Sequence, residues 1–216
     1  MISVIFDMDG VIFDSEKAVL GVWEEIASEW GLREIGTVFV RCVGTTKTRT
    51  REILQEAYPE LNFDHFDQTV RERFLARYGG GRLPLKPGAR EILTTLQKSG
   101  TALALASSTR TVTVRRELEE AGLLGCFSVV VGGDAVQRSK PDPEIFLEAA
   151  KRLGANPRDC FVIEDSFNGI RAAHAGGFRG IMVPDLLPPD EEMRDKAEII
   201  VNNLWEAESY LHEKER

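Results

Sequence analysis

Ala102-Leu103-Ala104-Leu105-Ala106 is a short, uninterrupted apolar run, and Ser107-Ser108-Thr109-Arg110 follows it at once. Runs of the same kind recur at 2–6, 128–131, 160–163, 180–183 and 199–201. Segments this short, apolar at nearly every position and rich in Val and Ile, suit strands buried on both faces. From 102 onward, helical patterns at 113–121, 143–153 and 169–175 lie between them. The expected fold class is therefore α/β, a Rossmann-like parallel sheet core with helices on both faces.

Between 15 and 82 the rhythm breaks. No strand pattern is present, and helical periodicity covers 17–30, 48–58 and 66–78 instead. Gly79-Gly80-Gly81 follows, then Pro84 and Pro87, which is helix-stop and linker chemistry that suits either a surface turn or a hinge. The expected division is a core domain of 1–14 and 83–216 with a small inserted helical domain, 15–82. Trp23 and Trp30, seven residues apart and so on one helix face, are read as the core of that insert.

Composition bounds the function. At 216 residues the chain is about one and a half times a ~150-residue domain, with room for one core and an insert. Hydrophobic residues at 43% and charged residues at 29% are ordinary for a globular protein. A net charge of −8 argues against gripping nucleic acid or an anionic membrane through bulk charge. No apolar run approaches the ~18 residues of a membrane span, and an N-terminal stretch that meets Asp7 so early does not suit a signal peptide. Cys42, Cys126 and Cys160 have no metal-ligand spacing and are read as reduced, packed residues, so the expected compartment is the cytoplasm.

The chemistry is expected beyond the carboxyl ends of the strands, where open parallel sheets bind ligands. Asp7-Met8-Asp9-Gly10 follows the first run, Ser107-Ser108-Thr109-Arg110 the second, Gly132-Gly133-Asp134 the third and Glu164-Asp165-Ser166 the fourth. Such residues often cap the next helix. Carboxylates gathered at one edge repel one another, however, and a divalent cation is the usual remedy. Oxygen ligands without histidine point to Mg2+ rather than zinc.

Asp7-Met8-Asp9-Gly10-Val11-Ile12-Phe13-Asp14-Ser15, Ser107 after its strand, Lys140 in Ser139-Lys140-Pro141-Asp142-Pro143, and Glu164-Asp165-Ser166-Phe167-Asn168-Gly169 together resemble the four motifs of the haloacid dehalogenase-type phosphohydrolase superfamily. They stand in family order and span essentially the whole chain. The 15–82 insert resembles the small helical cap of the phosphatase and β-phosphoglucomutase subgroup.

The resemblance implies that Asp7 is the nucleophile and forms an aspartyl-phosphate. Asp9 would protonate the leaving oxygen and then deprotonate water, a second aspartate that the family's dehalogenase members lack. Asp7, Asp165 and the Asp9 carbonyl would bind Mg2+, with Glu164 binding it directly or through water. Ser107, Ser108 and Lys140 would hold the transferring phosphoryl group. A carboxylate held in line with a neutralised phosphoryl group needs mostly positioning, so the physics supports these roles.

In the cap, Gly44-Thr45-Thr46-Lys47-Thr48-Arg49-Thr50-Arg51 opens a helix with hydroxyls and cations. Lys47 is the candidate contact for the distal part of the substrate, and Arg110 in the core is a second. Val19 stands where the mutases carry a histidine, which favours a phosphatase over a β-phosphoglucomutase-like mutase. A non-catalytic phosphate-binding protein would be expected to lose Asp7, Asp9 or Lys140, and all three are present. The expected partner is a small phosphorylated metabolite and the expected state a monomer. His65, His174 and His212 have no ligand partner at helical spacing and are read as structural or exposed. Gly176-Gly177-Phe178-Arg179-Gly180 precedes a strand and so does not suit a dinucleotide loop.

Overall fold

Each apolar run is a strand in the computed structural model, which describes residues 2–214. In chain order the elements are β1 (Ser3–Phe6), α1 (Ser15–Trp30), α2 (Ile35–Cys42), α3 (Lys47–Ala57), α4 (Phe63–Tyr78), α5 (Ala89–Lys98) and β2 (Ala102–Ser107). There follow α6 (Thr111–Glu120), β3 (Val129–Gly132), α7 (Glu144–Leu153), β4 (Cys160–Glu164), α8 (Phe167–Ala175), β5 (Arg179–Met182), α9 (Glu191–Lys196), β6 (Ile199–Ile200) and α10 (Leu204–Lys214). The strands pair in the order β3-β2-β1-β4-β5-β6, and every pairing is parallel.

Alternation along each strand divides the apolar residues between two faces. Ile5, Ala104, Ala106, Val131, Cys160 and Val162 pack against Ile145, Phe146 and Ala149 of α7 and Ala172 and Ala173 of α8. Val4, Phe6, Leu103, Leu105, Phe161 and Ile163 alternate with them and are equally buried. On that side Phe161 meets Tyr210 of α10 edge-on at 6.2 Å, and Phe6 meets Phe127 at 6.1 Å. Each such buried side chain stabilises the fold by roughly 1.5–3 kcal/mol relative to exposure. β1 lies between β2 and β4, where the chain order reverses, which is the switch point at which open α/β sheets bind ligands.

The chain separates into two compact units, one running to Asp14 and resuming at Leu85, the other Ser15–Pro84. In the first, the segments on either side of the gap are tied together. Phe13 bridges Leu85 in antiparallel fashion, and the Lys86 N–H donates to Ile12 O at 2.9 Å. That pairing makes Leu85 the point of return, slightly beyond the boundary read at 82. The Lys86 ammonium lies 2.7 Å from Asp185 Oδ1 and 3.4 Å from Asp14 Oδ1, all three side chains being largely buried.

The second unit consists of α1–α4. Trp23 lies edge-on to Phe39 and to Phe66, each at 4.9 Å, and Trp30 stacks on His65 at 5.1 Å. Helix α2 was not among the helical patterns of the sequence, because Val38-Phe39-Val40 is the β-branched and aromatic composition of a strand. Packing of Phe39 on Trp23 overrides that local preference. Helix α4 stops at Tyr78, where Gly80 and Gly81 take φ of +70° and +78°. Arg82 folds back and donates to the carbonyls of Gly79 and Ala76, each at 2.8 Å, closing the helix end. The tail after Tyr210 is helical to Lys214, and the part of it at 215–216 lies outside the described residues. Among the described residues no helix is long and apolar enough to cross a membrane.

Candidate active site

The last sheet hydrogen bond of β1 runs from the Asp7 N–H to Ile163 O at 3.0 Å, so the first carboxylate stands where the sheet ends. The chain then turns sharply. Ile12 and Phe13 N–H both donate to Met8 O, and Gly10 takes φ +77°. A Cβ on Gly10 would lie 2.2 Å from Asp165 Oδ2, so the glycine is what lets the Asp165 carboxylate approach the turn.

Glu164 is the last residue of β4 and is 1% exposed. One of its oxygens accepts from Lys140 Nζ at 2.6 Å; the other accepts from the Ser166 N–H at 2.8 Å and the Ser166 hydroxyl at 2.9 Å. Ser166 also caps α8, its Oγ accepting from the Gly169 N–H at 3.0 Å. A Cβ on Gly169 would fall 1.8 Å from the Glu164 carboxyl group. The third residue of α8 is therefore glycine because the carboxylate lies against it.

Lys140 arrives on the segment before α7. Its ammonium lies 2.5 Å from Asp7 Oδ1 as well as 2.6 Å from Glu164, and 4.7 Å from the centre of the Phe146 ring. The side chain is 7% exposed. Burial pulls the Lys140 ammonium down, but the charges and hydrogen bonds of Asp7 and Glu164 outweigh it and hold the group above its ordinary range. For Asp7 burial is the largest effect and raises its carboxyl to about 8; Lys140 opposes this, while Glu164 and Asp9 reinforce it. One ammonium serves two buried carboxylates, so it stays charged and leaves Asp7 short of a counter-charge.

That deficit is the test of a metal site. Oxygens of Asp7, Glu164 and Asp165 all lie within 4.8 Å of one another. The donors are hard oxygens with one cation too few, which fits a divalent ion of the Mg2+ class.

Other expected residues are placed less directly. Ser107 is buried at the end of β2, beside β1, its Oγ accepting from the Thr109 N–H at 3.0 Å. Ser108 and Arg110 are exposed on the same loop. Asp9 is half-buried and accepts from the Thr109 hydroxyl at 3.2 Å. Lys47 is the first residue of α3, in the helical unit, and pairs with Asp67 at 2.8 Å with its side chain 56% exposed. Asp134 follows β3 but points elsewhere: its Oδ1 accepts from the Thr111 N–H at 2.7 Å and the Thr111 hydroxyl at 2.6 Å, at the start of α6. Thr109 and the Lys86–Asp185–Asp14 cluster escaped the sequence reading. Their partners are 72 to 100 residues away, and no local pattern marks such pairings.

Residues 3–177 match the family described as haloacid dehalogenase-like hydrolase. The phosphorylated carbohydrates phosphatase of Thermotoga maritima is 34% identical over 182 residues, with 84% of each chain covered. The bifunctional riboflavin kinase/FMN phosphatase of Arabidopsis thaliana is 32% identical over 203 residues. That alignment takes in 93% of this chain and 53% of the plant protein, so the chain spans about half its length. Among solved structures, a Thermotoga maritima protein provisionally assigned as a β-phosphoglucomutase superposes with a TM-score of 0.82 at 31% identity, with 99% of each chain covered.

Proposed function

The chain belongs to the haloacid dehalogenase-like hydrolases, and from that premise we propose that it is a Mg2+-dependent phosphatase of a small sugar phosphate, working through an aspartyl-phosphate at Asp7. The observation that carries this is the convergence of Asp7, Glu164 and Asp165 oxygens within 4.8 Å, with Lys140 wedged between the first two. The similarity to a phosphatase of phosphorylated carbohydrates supports the substrate class.

In the first half-reaction an Asp7 oxygen bonds to phosphorus as the bond to the sugar oxygen breaks, and Asp9 gives its proton to that departing oxygen. In the second, Asp9 takes a proton from water while the water oxygen bonds to phosphorus. The bond to Asp7 breaks, and phosphate leaves. Lys140, Ser107 and Ser108 hold the phosphoryl oxygens throughout, and in a buried site such charge-assisted contacts act strongly on developing charge. Asp7, Asp165 and the Asp9 carbonyl would hold Mg2+, with Glu164 direct or through water. The ion would supply the counter-charge that Asp7 lacks. Lys47 and Arg110 are assigned to the non-transferring part of the substrate, and the chain is expected to work as a monomer.

The test is phosphate release from a panel of hexose phosphates, pentose phosphates and nucleotides with Mg2+ present. No release from any of them removes the phosphatase reading. Asp7→Asn should abolish turnover with the circular dichroism spectrum unchanged, and surviving turnover takes the nucleophile role from Asp7. The structural similarity to a provisionally assigned β-phosphoglucomutase favours a second reading, a sugar-phosphate mutase. Interconversion of hexose 1- and 6-phosphates that depends on a bisphosphate primer would establish it.

A further inference from the structure

Gly132-Gly133-Asp134 and the Thr109 hydroxyl have no part in the scheme above, yet they form one assembly. Thr109 stands two residues past the end of β2, and its hydroxyl donates to Asp9 Oδ2 at 3.2 Å. Its backbone is held on both sides. The Thr109 N–H donates to Ser107 Oγ at 3.0 Å, and the Thr109 carbonyl accepts from the Gly133 N–H at 2.9 Å.

Gly132, which ends β3, and Gly133 after it permit this approach. A Cβ on Gly133 would lie 2.3 Å from Ser108 O, and one on Gly132 would lie 2.2 Å from Thr111 N. Asp134 then fixes the far end of the loop through both polar groups of Thr111. Loop 107–111 is thus clamped by 132–134 against the end of β2. Threonine is β-branched and stiff at χ1, so a fixed backbone here becomes a fixed hydroxyl direction.

We propose that Thr109 is a positioning residue for Asp9, aimed by the clamp of Gly132, Gly133 and Asp134. By holding Oδ2, the hydroxyl fixes the orientation of the carboxyl group that passes a proton to the leaving group and later takes one from water. Thr109 itself neither gains nor loses a proton. Its O–H can donate to Oδ2 whether or not Oδ1 carries a proton, so one contact serves both half-reactions. A carboxyl group free to rotate would divide its time between productive and unproductive orientations, and misplacement of a catalytic group is costly to rate. The proposal rests on the reading of Asp9 as the acid and base of a phosphatase.

Two substrates separate positioning from mere structure. A sugar alkoxide needs a proton to leave, whereas p-nitrophenolate leaves without one. Both substrates need Asp9 as the base of the second half-reaction, so the single-turnover rate of leaving-group release, which reports the first half-reaction alone, would be compared on the hexose phosphate turned over fastest and on p-nitrophenyl phosphate. Thr109→Val should lower that rate about 10-fold or more on the sugar phosphate and less than about 3-fold on the aryl phosphate, with substrate affinity changed little on either. Thr109→Ser, which keeps the hydroxyl, should restore most of the loss. Equal losses on both substrates, no loss on the sugar phosphate, or a serine variant as impaired as the valine one would overturn the proposal. Asp9→Asn, measured alongside, isolates the underlying reading. If that variant shows no preference for the aryl substrate, the acid–base role of Asp9 falls. If it shows one and Thr109→Val does not, only the role of Thr109 falls.

Discussion

The Asp165 carboxylate occupies the space where a side chain on Gly10 would be. A Cβ there would come within 2.2 Å of Asp165 Oδ2, and Gly10 also holds a φ of +77° that L side chains rarely adopt. The turn after the nucleophile and the carboxylate after β4 therefore fit together only through a missing side chain.

Gly10→Ala should push Asp165 away from Asp7 and Glu164. The expected outcome is a loss of Mg2+ affinity of roughly 10–100-fold, the range seen when the support of a metal ligand is disturbed. Isothermal titration with Mg2+ reads this directly, and wild-type affinity in the variant would show that the contact does not matter.

Lys140 is the counter-charge of two buried carboxylates, so removing it leaves both without a fixed cation. Lys140→Met should cost about 3–5 kcal/mol in urea unfolding with EDTA present, as expected for breaking a buried ion pair from one side. Mg2+ should recover part of that loss. A variant as stable as wild type in EDTA would mean the cluster sheds its charge some other way.

Mg2+ should stabilise the fold more at high pH than at low pH. The Asp7 carboxyl is raised to about 8, so the native state keeps a proton that the unfolded chain gives up near its ordinary value. Losing that proton costs stability progressively as pH climbs from about 4 towards 8, and a cation that favours the ionised form offsets the cost. The rise in Tm on adding Mg2+ should be small near about pH 5 and larger near about pH 8, and Asp165→Asn should remove most of it. An equal rise at both pH values would contradict the linkage.

Asp134 illustrates the opposite sign. Hydrogen bonds from the Thr111 hydroxyl and N–H, in that order of effect, hold its carboxyl below the usual carboxylate range. Its contribution is therefore present above the unfolded-state value and disappears as pH falls through the lower, folded value. Asp134→Ala should lower Tm at neutral pH, and the difference from wild type should shrink in acid. A difference that persists unchanged in acid would show that packing, not the charge, is responsible. The substitution also loosens the far end of loop 107–111, so slower sugar-phosphate turnover should accompany it.

The sheet was legible because buried parallel strands are written as continuous apolar runs, and the observed strands start and stop within a residue or so of 2–6, 102–106 and 160–163. Helix α2 was not legible, since Val38-Phe39-Val40 has strand composition, whereas in the fold Ile35, Val38, Phe39 and Cys42 are buried along one side of the helix and Phe39 packs on Trp23. Asp7, Asp9, Glu164 and Asp165 could be picked out because each ends a strand or lies within three residues of a strand's carboxyl end. Asp134 follows a strand as well, and nothing local distinguishes it from the others. Thr109 carries no signal beyond being the second hydroxyl residue after β2.

By itself, then, the sequence determined the alternation of strand and helix, the interruption after Asp14, and which acidic residues end up at the carboxyl edge of the sheet. These follow from periodicity and from adjacency along the chain, which are local properties. Only the tertiary structure decided how those acids are used. It set Lys140 between Asp7, 133 residues away, and Glu164, turned Asp134 to Thr111, and laid the Thr109 hydroxyl on Asp9. Hydrogen bonds and buried charges act over a few ångströms, so their partners are fixed by how the strands and loops pack, whatever the separation along the chain.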